Sequence, residues 1–142
     1  MTKALRIAAQ SPEDLTILSA SLQDAILRIG DISYQKSAHA LSLRISRFSH
    51  EHQGQASRIL AGLRFDGVLG IKARGLDRSD PDNLCVLLGL HFEHGETFPE
   101  GELYLIFAGG GEICMQVECI DAILTDVAKP RQTDKIPLHP LD

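Results

Sequence analysis

The residue pattern predicts an α+β domain: an antiparallel, strongly bent β-sheet or partly open barrel, with one helix before it and an amphipathic helix after it. A two-layer α/β sandwich is the second choice. Three observations carry the prediction. A capped, leucine-periodic segment stands near the start of the chain; strictly alternating and short apolar stretches fill the middle; and Gly109-Gly110-Gly111 separates two strand-like stretches that run directly into apolar residues at helical spacing. The 142 residues suffice for one hydrophobic core without a disulfide or a structural metal. Residues 1–128 read as one domain, and residues 129–142, with three prolines and no periodicity, read as an extended or disordered tail.

Each element has its own warrant. Ser11-Pro12-Glu13-Asp14 is a helix start: a hydroxyl at the N-cap, proline where its missing N–H costs nothing, and acids facing the helix dipole. Leu15, Leu18 and Leu22 continue it as a helix over 12–22. Ile26, Ile29, Ile32 and Tyr34 favour a strand over 25–35, although the helix could also run on to Gly30. Leu41, Leu43 and Ile45 alternate with Ser42, Arg44 and Ser46, the mark of a half-buried strand over 41–48. Residues 49–55 are polar and aperiodic, hence a loop. Residues 59–74 form two apolar stretches around Phe65-Asp66-Gly67, with Gly62, Gly67 and Gly70 marking bends or a bulge. A charged turn over 74–83 precedes an apolar strand over 84–92 and a loop over 93–101. Residues 103–108 and 112–118 form a hairpin around the three glycines. Ile120, Ile123, Leu124 and Val127 fall at i, i+3, i+4 and i+7 and predict the C-terminal helix.

Charge divides the chain. Residues 1–71 hold eight bases and six acids, residues 72–142 six bases and thirteen acids, and between Asp77 and Asp126 eleven acids meet only Arg78. That half repels a phosphate backbone, so nucleic-acid binding is not expected; Arg44, Arg47, Arg58 and Arg64 are the one basic group, spread over two segments. The longest apolar stretches, 84–90 and 103–111, fall far short of the ~20 residues of a spanning helix, so no membrane partner is expected. Cys85, Cys114 and Cys119 are odd in number without a Cys-x-x-Cys pair, which suits a reducing cytoplasm.

No constellation announces catalysis. His39, His50, His52, His91, His94 and His139 lack the tight spacing of a metal site. Gly109-Gly110-Gly111 leads into Glu112 and a strand instead of the Lys and helix of a phosphate loop. Asp77, Asp80, Asp82 and Asn83 fail the calcium-loop pattern, since Leu84 falls where an oxygen is needed. Ser33-x-x-Lys36 lacks the companion motifs of the Ser/Lys enzymes, and Cys119, placed at the start of the C-terminal helix, has Glu118 beside it to oppose thiolate formation. No cofactor is expected. The reading is a non-catalytic interaction or accessory module with a protein partner or a second copy of itself; the alternative is a small-molecule-binding protein or enzyme whose site is assembled from scattered residues. The candidate contact is the turn carrying Arg74, Asp77, Arg78, Asp80 and Asp82, too polar for a plain connection.

Two resemblances accompany this reading. The hairpin running into an amphipathic helix against a bent sheet resembles pleckstrin-homology-like domains in layout. Lys36 and His39 alone stand where the phosphoinositide-binding members carry a basic loop. Leu22-Gln23-Asp24-Ala25, Leu63-Arg64-Phe65-Asp66, Arg74-Gly75-Leu76-Asp77-Arg78 and the run from Phe107 to Ile120 resemble, in order, a bacterial family of small proteins of unassigned function (domain of unknown function 2948). That resemblance implies a cytosolic, bacterial, single-domain protein and brings no catalytic residues with it.

Overall fold

The computed structural model describes residues 4–50 and 56–127, without the side chains of His50 and Ala56. The sequence-predicted tail at 129–142 therefore lies outside the described residues, as do His52 and His139. Among the described residues, ten strands and one α-helix follow in the order β1 (Arg6–Ala9), α1 (Pro12–Leu22), β2 (Ala25–Arg28), β3 (Ile32–Gln35), β4 (Ala40–His50), β5 (Ala56–Phe65), β6 (Val68–Arg74), β7 (Leu84–His94), β8 (Gly101–Phe107), β9 (Glu112–Val117) and β10 (Ala122–Asp126). The strands pair antiparallel in the order β1-β10-β5-β4-β2-β7-β8-β9-β6, with β3 on β4.

This sheet is open, yet its two halves meet at a corner. β5 pairs with β10 and β6 with β9, and only Asp66 and Gly67 separate β5 from β6. Across the corner the Asp66 N–H donates to the Asp121 carbonyl at 2.9 Å and the Glu118 N–H to the Gly67 carbonyl at 3.0 Å. The ladder thus carries on through a double bend. Gly67 takes φ of +69°, a left-handed conformation that glycine adopts without steric cost, and a bulge between Val68 and Gly70 adds twist. Gly62, expected at a bend, lies in regular β5.

Alternation sets the core. β8 and β9 turn Leu103, Leu105, Phe107, Ile113, Met115 and Val117 inward, and β4 and β5 contribute Leu41, Leu43, Ile45, Ala61, Leu63 and Phe65. α1 lays Leu15, Leu18 and Leu22 against them, each contributing roughly 1.5–3 kcal/mol by burial. Its start follows the sequence: the Asp14 N–H donates to Ser11 Oγ at 3.1 Å, and the Asp14 carboxylate reaches back past the cap to accept from the Gln10 N–H at 3.0 Å. Ser19 Oγ accepts from the Leu90 N–H at 2.9 Å where β7 bulges between Leu87 and Gly89; a Cβ on Gly89 would stand 2.8 Å from that oxygen, so glycine lets the helix approach.

Three expectations need correction. The C-terminal helix at 120–127 is a strand, β10, whose inward positions are Ala122, Leu124 and Asp126, while Ile123 is half-buried and Val127 exposed. The same residues satisfy either period, and open ladder positions on β5 and β1 decide for the strand. The pleckstrin-homology-like layout rested on that helix and loses its support. The strand at 25–35 is interrupted by a 3₁₀ turn, Ile29–Asp31, so β2 lies between β4 and β7 while β3 pairs with β4 alone.

One end of the core holds an ion pair. Arg47 Nε and Nη2 donate to Asp126 Oδ1 and Oδ2 at 2.9 and 3.0 Å, with side chains only 10% and 2% exposed. Asp126 Oδ2 also accepts from the Leu5 N–H at 2.7 Å, and the Asp126 N–H donates to the Leu5 carbonyl at 3.0 Å. The carboxylate thereby ties the chain entering β1 to β4 across β5.

Two stability measurements follow. In chemical denaturation Leu124→Ala should cost about 2–5 kcal/mol and Ile123→Ala under about 1.5, whereas a helix facing inward through 120, 123, 124 and 127 would make the two alike. Asp126→Ala strands a buried guanidinium and the Leu5 N–H and should cost about 3–5 kcal/mol. Arg47→Met with Asp126→Asn should recover much of that, because the amide oxygen still accepts from Leu5 and no charge stays buried; equal losses would deny the pair its role.

Candidate functional site

The turn between β6 and β7, residues 75–83, is held at both ends by backbone. Gly75 has φ of +74° and lies against the β8–β9 turn, where a Cβ would stand 3.0 Å from Gly111 Cα. A Cβ on Gly111 would in turn stand 2.6 Å from Leu76 Cδ2. Glycine at both positions admits the contact and lets Leu76 pack on the core. At the other end, the Gly30 N–H donates to the Pro81 carbonyl at 2.8 Å and the Ile29 N–H to the Asn83 carbonyl at 2.9 Å, docking the turn on the 3₁₀ segment.

Between these anchors the acids brace the loop itself. Asp77 Oδ1 accepts from the Ser79 N–H at 3.0 Å and from Ser79 Oγ at 2.7 Å, and Asp80 Oδ1 accepts from the Asp82 N–H at 2.9 Å. These are two successive Asx turns. The hydrogen bonds from Ser79 hold the Asp77 carboxyl below its usual range. Asn83 Nδ2 donates to the Asp77 carbonyl at 3.2 Å.

The five sequence candidates therefore divide. Arg74 ends β6 and donates through Nη2 to Glu112 Oε2 at 2.7 Å, its register partner on β9. Asp77 and Asp80 serve the turn. Arg78 and Asp82 are exposed with no side-chain partner among the described residues. The oxygens of Asp77 and Asp80 satisfy backbone donors, and no group of three His, Cys, Asp or Glu among the described residues could hold a metal ion.

A second constellation escaped the sequence reading. The register of β7, β8, β9 and β6 lines up His91, Tyr104, Cys114 and Lys72 on the outer face, with Glu93, Glu102 and Gln116 in the next row. Tyr104 Oη donates to Glu102 Oε1 at 2.9 Å, His91 Nε2 lies 3.1 Å from Glu93 Oε2, and the His91 and Tyr104 rings are 5.9 Å apart. Glu102 and Cys114 push the Tyr104 hydroxyl well above its ordinary range, and burial pushes the Cys114 thiol up from 9.0. Both groups keep their protons at neutral pH, the wrong state for a nucleophile. Cys119, expected at a helix start, follows β9 in the bend toward β10. The alternation of the hairpin put Tyr104 and Cys114 on one face, but the expected strands at 103–108 and 112–118 set Tyr104 against Gln116; the turn closes instead from Phe107 to Gly111, and the β7 bulge shifts the register of His91.

A family model described as "Protein of unknown function (DUF2948)" matches residues 5–139. The chain belongs to this family. No curated protein and no solved structure matches it. The family's description carries no reaction, so the chemistry rests on this member's own residues. No described helix is long and apolar enough to cross a membrane.

Iodoacetamide labelling of Cys114, resolved from Cys85 and Cys119 by peptide mass spectrometry, should be slower near about pH 7 than that of an unburied cysteine in a short peptide and should climb steadily with pH, since a raised pKa lowers the thiolate fraction at every pH below it. Rapid labelling near neutrality would identify an activated thiolate.

Proposed function

We propose that the chain is a non-catalytic, cytoplasmic interaction module whose contact surface is the loop at 75–83, presented through Arg78 and Asp82. The observation that supports this is the bracing. A loop of nine residues is anchored on two neighbouring turns and stiffened by two Asx turns, while one guanidinium and one carboxylate stay unpartnered among the described residues. Ordering entropy is lost in folding instead of in binding, which favours association, and arginine is a frequent anchor in interfaces. The partner in this reading is a protein, and the loop's mixed charge suits a polar contact more than a nucleic acid or a cofactor.

The alternative, an enzyme with a scattered site, would centre on the His91, Tyr104, Cys114 and Lys72 row. The raised thiol and hydroxyl work against it.

The test compares the wild type with Arg78→Ala. Melting should change by no more than about 0.5 kcal/mol, because the side chain is exposed and unpaired. Proteins retained from native cytosol by the tagged wild type should fall about tenfold, a loss of about 1.4 kcal/mol. Full retention by the variant would place the contact elsewhere.

A further inference from the structure

The sheet brings together a basic surface that the linear sequence scatters. On β1, β10, β5 and β4, the buried positions of the inward alternation are apolar apart from Arg47 and Asp126, with Ser49 and Ser57 at its open end, so the alternate positions make the outer face. Across it the register aligns Arg6, Thr125, Gly62 and Arg44 in one row. The next row carries Ala8, Ile123, Arg64 and Ser42, and Arg58 lies further along β5 opposite Phe48. None of these outward positions is acidic.

The arginines differ in what they already do. Arg64 grips Asp66 through Nε and Nη2, at 3.1 and 2.9 Å to Oδ1. Arg58 donates to the Ser46 and Asp24 carbonyls at 2.8 and 3.2 Å and lies over the Phe48 ring, 5.2 Å from its centroid. Arg6 and Arg44 are exposed and have no partner among the described residues. Between them the sheet is bare: a Cβ on Gly62 would meet no atom within 4 Å. Two free guanidinia thus flank a notch floored by glycine, with the Thr125 hydroxyl at its side.

We infer that this face docks a short acidic segment of a protein partner, its carboxylates held by Arg6 and Arg44 above Gly62. This surface is separate from the loop at 75–83. Three strand spacings separate Arg6 from Arg44, about 14 Å, the reach of roughly four or five extended residues. Guanidinium forks match carboxylates in bidentate geometry. A nucleic acid fits less well: a single strand would want aromatic platforms, and Phe48, the one aromatic ring among the described residues of this face, lies under Arg58. A longer polyanion would also meet the acidic half of a chain with net charge −5.

The test uses a fluorescent Asp/Glu-rich peptide of about ten residues, with single-stranded DNA of equal charge as the competing probe and sedimentation of the protein alone. At low salt the peptide should bind, weaken as salt rises, and shift backbone amides of β1, β10, β5 and β4 in NMR spectra. Arg6→Glu and Arg44→Glu should each weaken it about tenfold without changing melting, Arg44→Lys by less, and Arg78→Ala not at all. Absence of peptide binding, binding indifferent to Arg6 and Arg44, or tighter binding of the DNA at the same residues would overturn the inference. So would self-association abolished by Arg44→Glu, which would make the occupant a second copy.

Discussion

Between Phe65 and Val68 the chain leaves one half of the sheet and enters the other, and between Val117 and Ala122 it makes the matching passage back. Because the two passages hydrogen-bond to each other at Asp66–Asp121 and Gly67–Glu118, neither half of the sheet can swing independently. The remainder of the fold depends on this corner. It turns one long sheet into two facing halves, gives the inward side chains of β4 and β5 an apolar surface to meet in β8 and β9, and leaves room for α1. The bend requires a left-handed residue, which Gly67 supplies without the cost a side chain would incur.

The same folding places the chain's charge. Four arginines from three separate segments come to one outer face, while Glu93, Glu102 and Glu112 lie on the outer face of the other half. The bases scattered through the first half of the sequence thus become a patch on one side of the sheet, whereas the other outer face sets Lys72 and Arg74 among its glutamates.

Among the described residues, Arg47 and Asp126 are the buried polar pair. Arg47 belongs, in sequence, with the other arginines of β4 and β5, yet its position in the alternation sends it inward, where Asp126 satisfies it with two hydrogen bonds. An unpaired guanidinium there would be costly, so the strand identity of β10 and the orientation of Arg47 depend on one another.

Local chemistry determined much of this protein unaided. The cap at Ser11, the leucines of α1, the alternation of β4 and the glycine turn of the β8–β9 hairpin are decided by neighbours in the chain, and all stand as the sequence indicates. The charged turn at 74–83 was legible as a turn for the same reason. Tertiary structure decided the rest, because the deciding partners are remote. Residues 120–127 satisfy a helical and a strand period equally, and only the vacant ladders of β5 and β1 choose between them. Gly75 and Gly111 matter through a contact between turns 36 positions apart, which no local window contains. Register, shifted by the β7 bulge, put His91 beside Tyr104, and pairing across four strands gathered Arg6 with Arg44; hydrogen bonding between distant strands, invisible in composition, drew both surfaces.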